Sequence, residues 1–129
     1  MSQRIAQFTL LVADYDAAIA FYTHKLGFTL LEDTPLSPTK RWVLVAPSGG
    51  TGSALLLALA DNDAQHRCIG NQAGGRVLLF LYTNDFWRDY QRMLARHVEF
   101  KEKPREEAYG TVAVFSDLYG NLWDLLEPK

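Results

Sequence analysis

The segment QFTLLVADYDAAIAFY, residues 7–22, decides the fold because its pattern returns later in the chain. A matching stretch, RVLLFLYTNDFWRDYQ, occupies residues 76–91, and a shift of 69 places Asp16 on Asp85 and Phe21 on Tyr90. A shift of 68 carries ALLLA, residues 54–58, onto LWDLL, residues 122–126. Self-similarity at a nearly constant shift predicts two copies of one structural unit.

Each copy has the same predicted order of elements. In the first copy, residues 5–12 form an apolar run of strand length, followed by a helix that Asp14 or Asp16 caps and Gly27 ends. Strands at 28–32, 41–46 and 54–59 follow, between clusters of Pro, Ser and Gly. The second copy repeats this order with strands at 76–82, 98–101, 111–115 and 122–126. The pattern predicts an α+β fold of two tandem βαβββ modules.

The chain length predicts one domain over residues 1–129, with both modules inside it. Module one covers about residues 1–60 and module two about residues 75–129, and the polar stretch 61–74 connects them. Neither half is large enough to be stable by itself, so we expect no independent linker.

Composition excludes several classes of function. The net charge is −2, with 13 basic and 15 acidic residues, and no basic patch suggests a nucleic-acid or anionic membrane partner. The chain begins without a basic and apolar leader and has no apolar stretch of membrane-spanning length. The single cysteine, Cys68, excludes an internal disulfide. These features predict a cytoplasmic protein.

Asp124 is a carboxylate inside an otherwise apolar final strand. Side chains alternate along a strand, and in each module the more uniformly apolar set is expected to face the helix. Under the repeat shifts, four equivalent positions on the opposite face hold Gln7, Leu56, Arg76 and Asp124. We therefore expect Asp124 to face a cleft. The alternative is an Asp124 that points to water at a sheet edge and an Arg76 that is a solvated strand start.

Two stretches resemble the vicinal oxygen chelate superfamily, which includes glyoxalases, bleomycin-resistance proteins and dioxygenases. LLVADYDAAIAFYTHKLGF, residues 10–28, resembles its first strand, helix and turn, and GTVAVFSDLYGNLWDLLEP, residues 110–128, resembles its closing hairpin. The resemblance implies a curved eight-stranded mixed sheet around a cleft, and a homodimer. In the metal-dependent members of the superfamily, His, Glu and Gln side chains hold a divalent metal in that cleft, at positions that correspond here to Gln7, Leu56, Arg76 and Asp124.

This sequence departs from that ligand set. Leu56 cannot ligate a metal, and Arg76 carries a positive charge that would repel one. Only Gln7 and Asp124 remain as oxygen donors, which is too few for a closed catalytic site. We therefore expect no metal cofactor, and an Arg76 that pairs with Asp124 or presents its guanidinium to an anionic ligand.

The prediction for function is a glyoxalase-like or bleomycin-resistance-like protein that binds a small anionic or aromatic molecule in a cleft without a metal. The alternative is a small lyase, isomerase or dioxygenase, with Asp124 as general base and Arg76 as oxyanion stabiliser. If that enzyme held a divalent metal, Glu107 would be a further carboxylate. The predicted ligand-binding residues are Gln7, Trp42, Leu56, Arg76, Phe80, Tyr82, Tyr109 and Asp124.

Overall fold

The computed structural model describes all 129 residues. They form two compact units, Met1–Ile69 and Gly70–Lys129. The segment predicted as a connector, residues 61–74, is divided between the units, and part of it is helical.

The first unit is a four-stranded mixed sheet with two short helices. The elements are β1 (Gln7–Val12), α1 (Tyr15–Ala20), β2 (Thr29–Pro35), β3 (Arg41–Ala46), β4 (Ala54–Leu59) and α2 (Asp63–Cys68). Strand β3 pairs antiparallel with both β2 and β4, and β1 pairs parallel to β4, which gives the order β1-β4-β3-β2. A π-helical turn, Phe21–Lys25, extends α1.

Local sequence explains where the first helical segment begins and ends. The carboxylate of Asp14 accepts a hydrogen bond of 2.7 Å from the backbone N–H of Ala17, which satisfies one of the free donors at the start of α1. Gly27 follows the π-helical turn with a φ of 75°, a left-handed conformation that glycine adopts without a Cβ clash. The chain can therefore turn directly into β2.

The second unit has the same order with one added strand. The elements are β5 (Val77–Tyr82), α3 (Phe86–Ala95), β6 (Glu99–Phe100), β7 (Arg105–Glu107), β8 (Gly110–Ser116) and β9 (Leu122–Pro128). Strand β9 lies between β5 and β8, parallel to β5 and antiparallel to β8, while both β6 and β7 pair with β8.

The prediction of an α+β fold with two tandem βαβββ modules is confirmed. The sheets have four and five strands because β7 adds a strand beside β8, and α2 was not predicted. No helix is long and apolar enough to cross a membrane.

Each sheet has a closely packed face that meets its helix. In the first unit Leu10, Val12 and Leu57 belong to this face and are buried. In the second unit, ring contacts run from Trp123 through Phe115 and Phe100 to Tyr90 of α3. Trp123 therefore faces α3, and because side chains alternate along a strand, Asp124 faces the opposite side. We call that side of the second sheet the open face.

Candidate functional site

The strand register brings chemistry-bearing side chains into two adjacent rows on the open face. In one row, Phe80 of β5 lies beside Asp124 of β9, which pairs with Val114 of β8. In the next row, Tyr82 lies beside Leu126, which pairs with Val112, and Val112 pairs with Arg105 of β7. An aromatic ring, a carboxyl group and a guanidinium thus share one surface.

Asp124 is buried on this face, as are its neighbours Leu126 and Val112, while the β5 side of the face is exposed. Its side chain is buried, with 8% of the residue exposed, and no protein group donates a hydrogen bond to its Oδ1. Burial raises the pKa of Asp124 because a carboxylate loses its hydration there. The positive charge of Arg105 opposes this rise in pKa, and the negative charge of Glu102 adds to it.

Arg105 is held by its own partners and is not directed at Asp124. Its Nε donates to Glu102 over 2.6 Å, and a terminal nitrogen donates to Glu107 over 2.9 Å. The Tyr109 side chain is a third hydrogen-bonding partner, and these contacts raise the pKa of Arg105 above its usual range. The hydrogen bonds of the guanidinium therefore stabilise the conformation of the segment 102–109, which pairs with β8.

Two aromatic side chains at the edge of the sheet are solvent-exposed. Phe80 is 61% exposed and Tyr82 is 66% exposed, although both belong to the regular strand β5. Exposed rings beside a buried polar group form a surface that suits a flat ligand, since stacking removes apolar area from water and a polar group can fix orientation.

The predicted Arg76–Asp124 ion pair is not formed. The Oδ1 of Asp124 has no hydrogen-bond partner, and the arginine whose charge affects the pKa of Asp124 is Arg105. Arg76 lies outside β5, and an irregularity between Val77 and Leu79 shifts the register of β5 against β9. The shift places Phe80, instead of Leu79, beside Asp124. Arg76 is exposed and lines a cavity of about 110 Å³ with Leu78, Gly120 and Leu122. Leu122 and Asp124 lie on the same side of β9, so this cavity belongs to the same face of the sheet.

The other predicted residues belong to the first unit. Leu56 and Trp42 line one cavity of about 130 Å³, together with Tyr15 and Arg41. Arg41 is fully engaged there, donating to Asp33 and Asp16 and lying over the ring of Tyr15. Gln7 pairs with Ala54, and Leu56 pairs with Thr9, so Gln7 lies one step farther along the same face.

The sequence reasoning placed all eight predicted ligand-binding residues in one cleft. In the second unit Phe80, Tyr82 and Asp124 lie in adjacent rows, while Tyr109 follows β7, which β8 and β9 separate from β5. The sequence reasoning missed Arg105 and Glu102. A signal was present in EKPREEAYG, residues 102–110, where an arginine is surrounded by glutamates. Pairing of this segment with β8 could not be read from its composition, because Arg105–Glu107 is a three-residue strand with no apolar alternation.

The residues at the family's metal positions do not fit a catalytic divalent ion. Leu56 offers no donor atom and Arg76 is a cation, so only Gln7 and Asp124 of the four could supply oxygen ligands. No group of three or more His, Cys, Asp or Glu side chains is placed to hold a metal. The Oδ1 of Asp124 has no hydrogen-bond partner, but the charge of Arg105 acts on this carboxyl group and no cluster of metal-binding side chains surrounds it. We therefore derive no step through a metal.

Two βαβββ modules in tandem, with polar and aromatic groups on the open face of one sheet, define the class of protein to which the chain belongs. Residues 4–125 match the model of the Glyoxalase/Bleomycin resistance protein/Dioxygenase superfamily. The chain is a member of this superfamily, as the resemblance of its two motifs predicted.

Similar proteins include an uncharacterized protein of Shewanella frigidimarina, 59% identical over 98% of this chain and 95% of that protein. Among solved structures, UcmS2 is 30% identical with a TM-score of 0.85, covering 98% of both chains. TnmS3, an antibiotic binding protein from Streptomyces sp. CB03234, is 30% identical with a TM-score of 0.80, covering 99% of this chain and 98% of that chain.

Proposed function

We propose that this protein binds a small aromatic molecule of the antibiotic type on the open face of its second sheet, without a metal. The observation that carries the proposal is a buried carboxyl group, Asp124, whose Oδ1 has no donor and which lies beside the exposed ring of Phe80. A buried polar atom without a hydrogen-bond partner destabilises the folded protein. A ligand that donates a hydrogen bond to this atom would remove that destabilisation.

The comparison with TnmS3 supports this proposal. Its described role is antibiotic binding, and it shares 30% identity with this chain over nearly the full length of both. We narrow the expected ligand from anionic or aromatic to aromatic, because Arg105, the cation whose charge acts on Asp124, is already held by two glutamates. Arg76 forms no ion pair with Asp124, and we leave it outside the proposed site.

The binding surface is tested by removing one exposed ring at a time. Tyr82→Ala should weaken binding of an aromatic antibiotic about 10-fold, because an aromatic contact contributes roughly 1 kcal/mol or more. Affinity can be measured by titration calorimetry against a panel of polycyclic aromatic antibiotics, with and without EDTA. The matched control is Trp87→Ala, which removes a ring that is 51% exposed on α3.

Equal affinities for wild type, Tyr82→Ala and Phe80→Ala would contradict the proposed surface. A loss of binding in EDTA that added Zn²⁺ or Mn²⁺ restores would contradict the metal-free proposal. Trp87→Ala should leave affinity unchanged in every case, since its ring packs against Phe86 and Tyr90 on the helix side.

A lyase or isomerase is the second candidate, and the raised pKa of Asp124 favours it. A carboxyl group with a raised pKa is a better proton acceptor than an ordinary aspartate, and general bases are tuned in this way. Recovery of each bound compound after prolonged incubation, followed by NMR of the product, separates the two functions. Unchanged compound supports binding alone.

We also propose that the protein acts as a homodimer, as its family resemblance implies. Binding assays should therefore be done on the protein in its solution assembly, with the assembly state determined by light scattering.

A further inference from the structure

The second unit indicates which chemical group its ligand carries, an inference that rests on the proposed function of the open face. Glu102 and Glu107 both bind the guanidinium of Arg105, and the charges of Arg105 and Glu102 reach Asp124 and affect its pKa. The one cation in this region is therefore matched by two carboxylates before Asp124 is counted. The neighbouring strand residues, Phe80 and Val114, bring no charge.

Arg105 has little capacity left for a ligand. Two of its nitrogens donate to Glu102 and Glu107 at 2.6 and 2.9 Å, and Tyr109 is a further partner. An anionic ligand would have to displace one of these carboxylates to reach the guanidinium. It would also approach Asp124, whose repulsion is stronger in a partly dry site than in water.

Asp124 requires a hydrogen-bond donor from its ligand. Its Oδ1 is buried and accepts no hydrogen bond from the protein, and a carboxylate oxygen can only accept. A hydroxyl group or a protonated amine supplies such a donor, and a bond from either to a carboxylate is charge-assisted. The exposed rings of Phe80 and Tyr82 lie in the same row and in the next one, within reach of a flat scaffold that carries the donor.

We propose that the ligand of the open face is an aromatic molecule that presents a hydroxyl or ammonium donor to Asp124, and that aromatic carboxylates are rejected. Asp124 is the residue that determines this specificity. Phe80 and Tyr82 supply affinity for any flat ring, whatever its substituent.

Four naphthalenes that differ in one substituent, hydroxyl, aminomethyl, methoxy or carboxylate, test the inference. Against wild type, the hydroxyl and aminomethyl compounds should bind about 10-fold or more tightly than the methoxy compound, since hydrogen bonds to charged groups are among the stronger ones. The carboxylate should bind most weakly. In Asp124→Asn the advantage of the aminomethyl compound should be lost and the carboxylate should bind more tightly than it does to wild type.

The outcomes separate this inference from the function on which it rests. If all four naphthalenes bind wild type equally, and Tyr82→Ala weakens all four, the surface is correct and the donor inference is wrong. A carboxylate that binds as tightly as the hydroxyl compound also overturns it. If none of the four binds wild type, both the inference and the proposed binding surface are overturned.

Discussion

Gly110→Ala is expected to destabilise the protein by about 2–4 kcal/mol, the largest effect of any substitution considered. Gly110 begins β8 opposite Pro128, and a Cβ at this position would collide with the backbone carbonyl of Glu127. Both groups belong to paired strands, so neither can move without breaking ladder hydrogen bonds. Its φ of 155° is also one that L-residues rarely adopt.

The consequence reaches the candidate site because Gly110 follows Tyr109 and the strand that carries Arg105. Urea denaturation of wild type and Gly110→Ala measures the change in the free energy of unfolding. The matched control is Gly52→Ala, where a Cβ would meet nothing within 4 Å and φ is not positive. A loss below about 0.5 kcal/mol in Gly110→Ala, equal to that of the control, would show that β8 and β9 are not packed as described.

Asp124→Asn is expected to raise the free energy of unfolding by about 1 kcal/mol at neutral pH, although it removes the proposed binding group. Burial raises the pKa of Asp124, so the native state holds its proton more tightly than the unfolded chain does. The free energy of unfolding of the wild type therefore falls as pH rises from the unfolded-state pKa of Asp124 through its higher native-state pKa. The loss of stability is complete at neutral pH. At a pH below the unfolded pKa, the carboxyl is neutral in both states and this cost disappears.

The pH dependence distinguishes this explanation from a general change in packing. Thermal unfolding of wild type and Asp124→Asn should differ at about pH 7 and converge as pH falls toward the ordinary aspartate pKa of about 3.9. Asp85→Ala is a useful contrast, because the Asp85 carboxylate caps α3 by accepting from the backbone N–H of Arg88, and alanine offers no acceptor, so this variant should be less stable than wild type. An Asp124→Asn protein less stable than wild type at pH 7 would show that the ionised carboxylate has a stabilising partner.

The sequence was sufficient to predict the fold because apolar periodicity and the repeat agreed. Arg41–Ala46 and Ala54–Leu59 were predicted with the bounds that the structure has, since both are apolar runs between clear turn residues. The helix of residues 63–68 was missed because it is short and polar, without an apolar stripe. Its cap, Asn62, was the only local signal.

The candidate site was predicted less completely than the fold. Alternation along β9 was enough to place Asp124 on the open face, because that inference needs only one strand. The position of Arg76 depended on the register between β5 and β9, and an irregularity within three residues of Arg76 altered it. The partnership of Arg105 with Glu102 and Glu107 depended on a bent segment between β6 and β7, which periodicity does not describe.

The central claim is that the second sheet binds an aromatic ligand around Asp124, and the most direct measurement is to locate that ligand by NMR. Titration of ¹⁵N-labelled protein with the hydroxyl naphthalene should shift the amide signals of Phe80, Tyr82 and Asp124 most, and those of the segment 102–109 next. Shifts confined to the residues that line the first unit's cavity, around Trp42 and Leu56, would contradict the account.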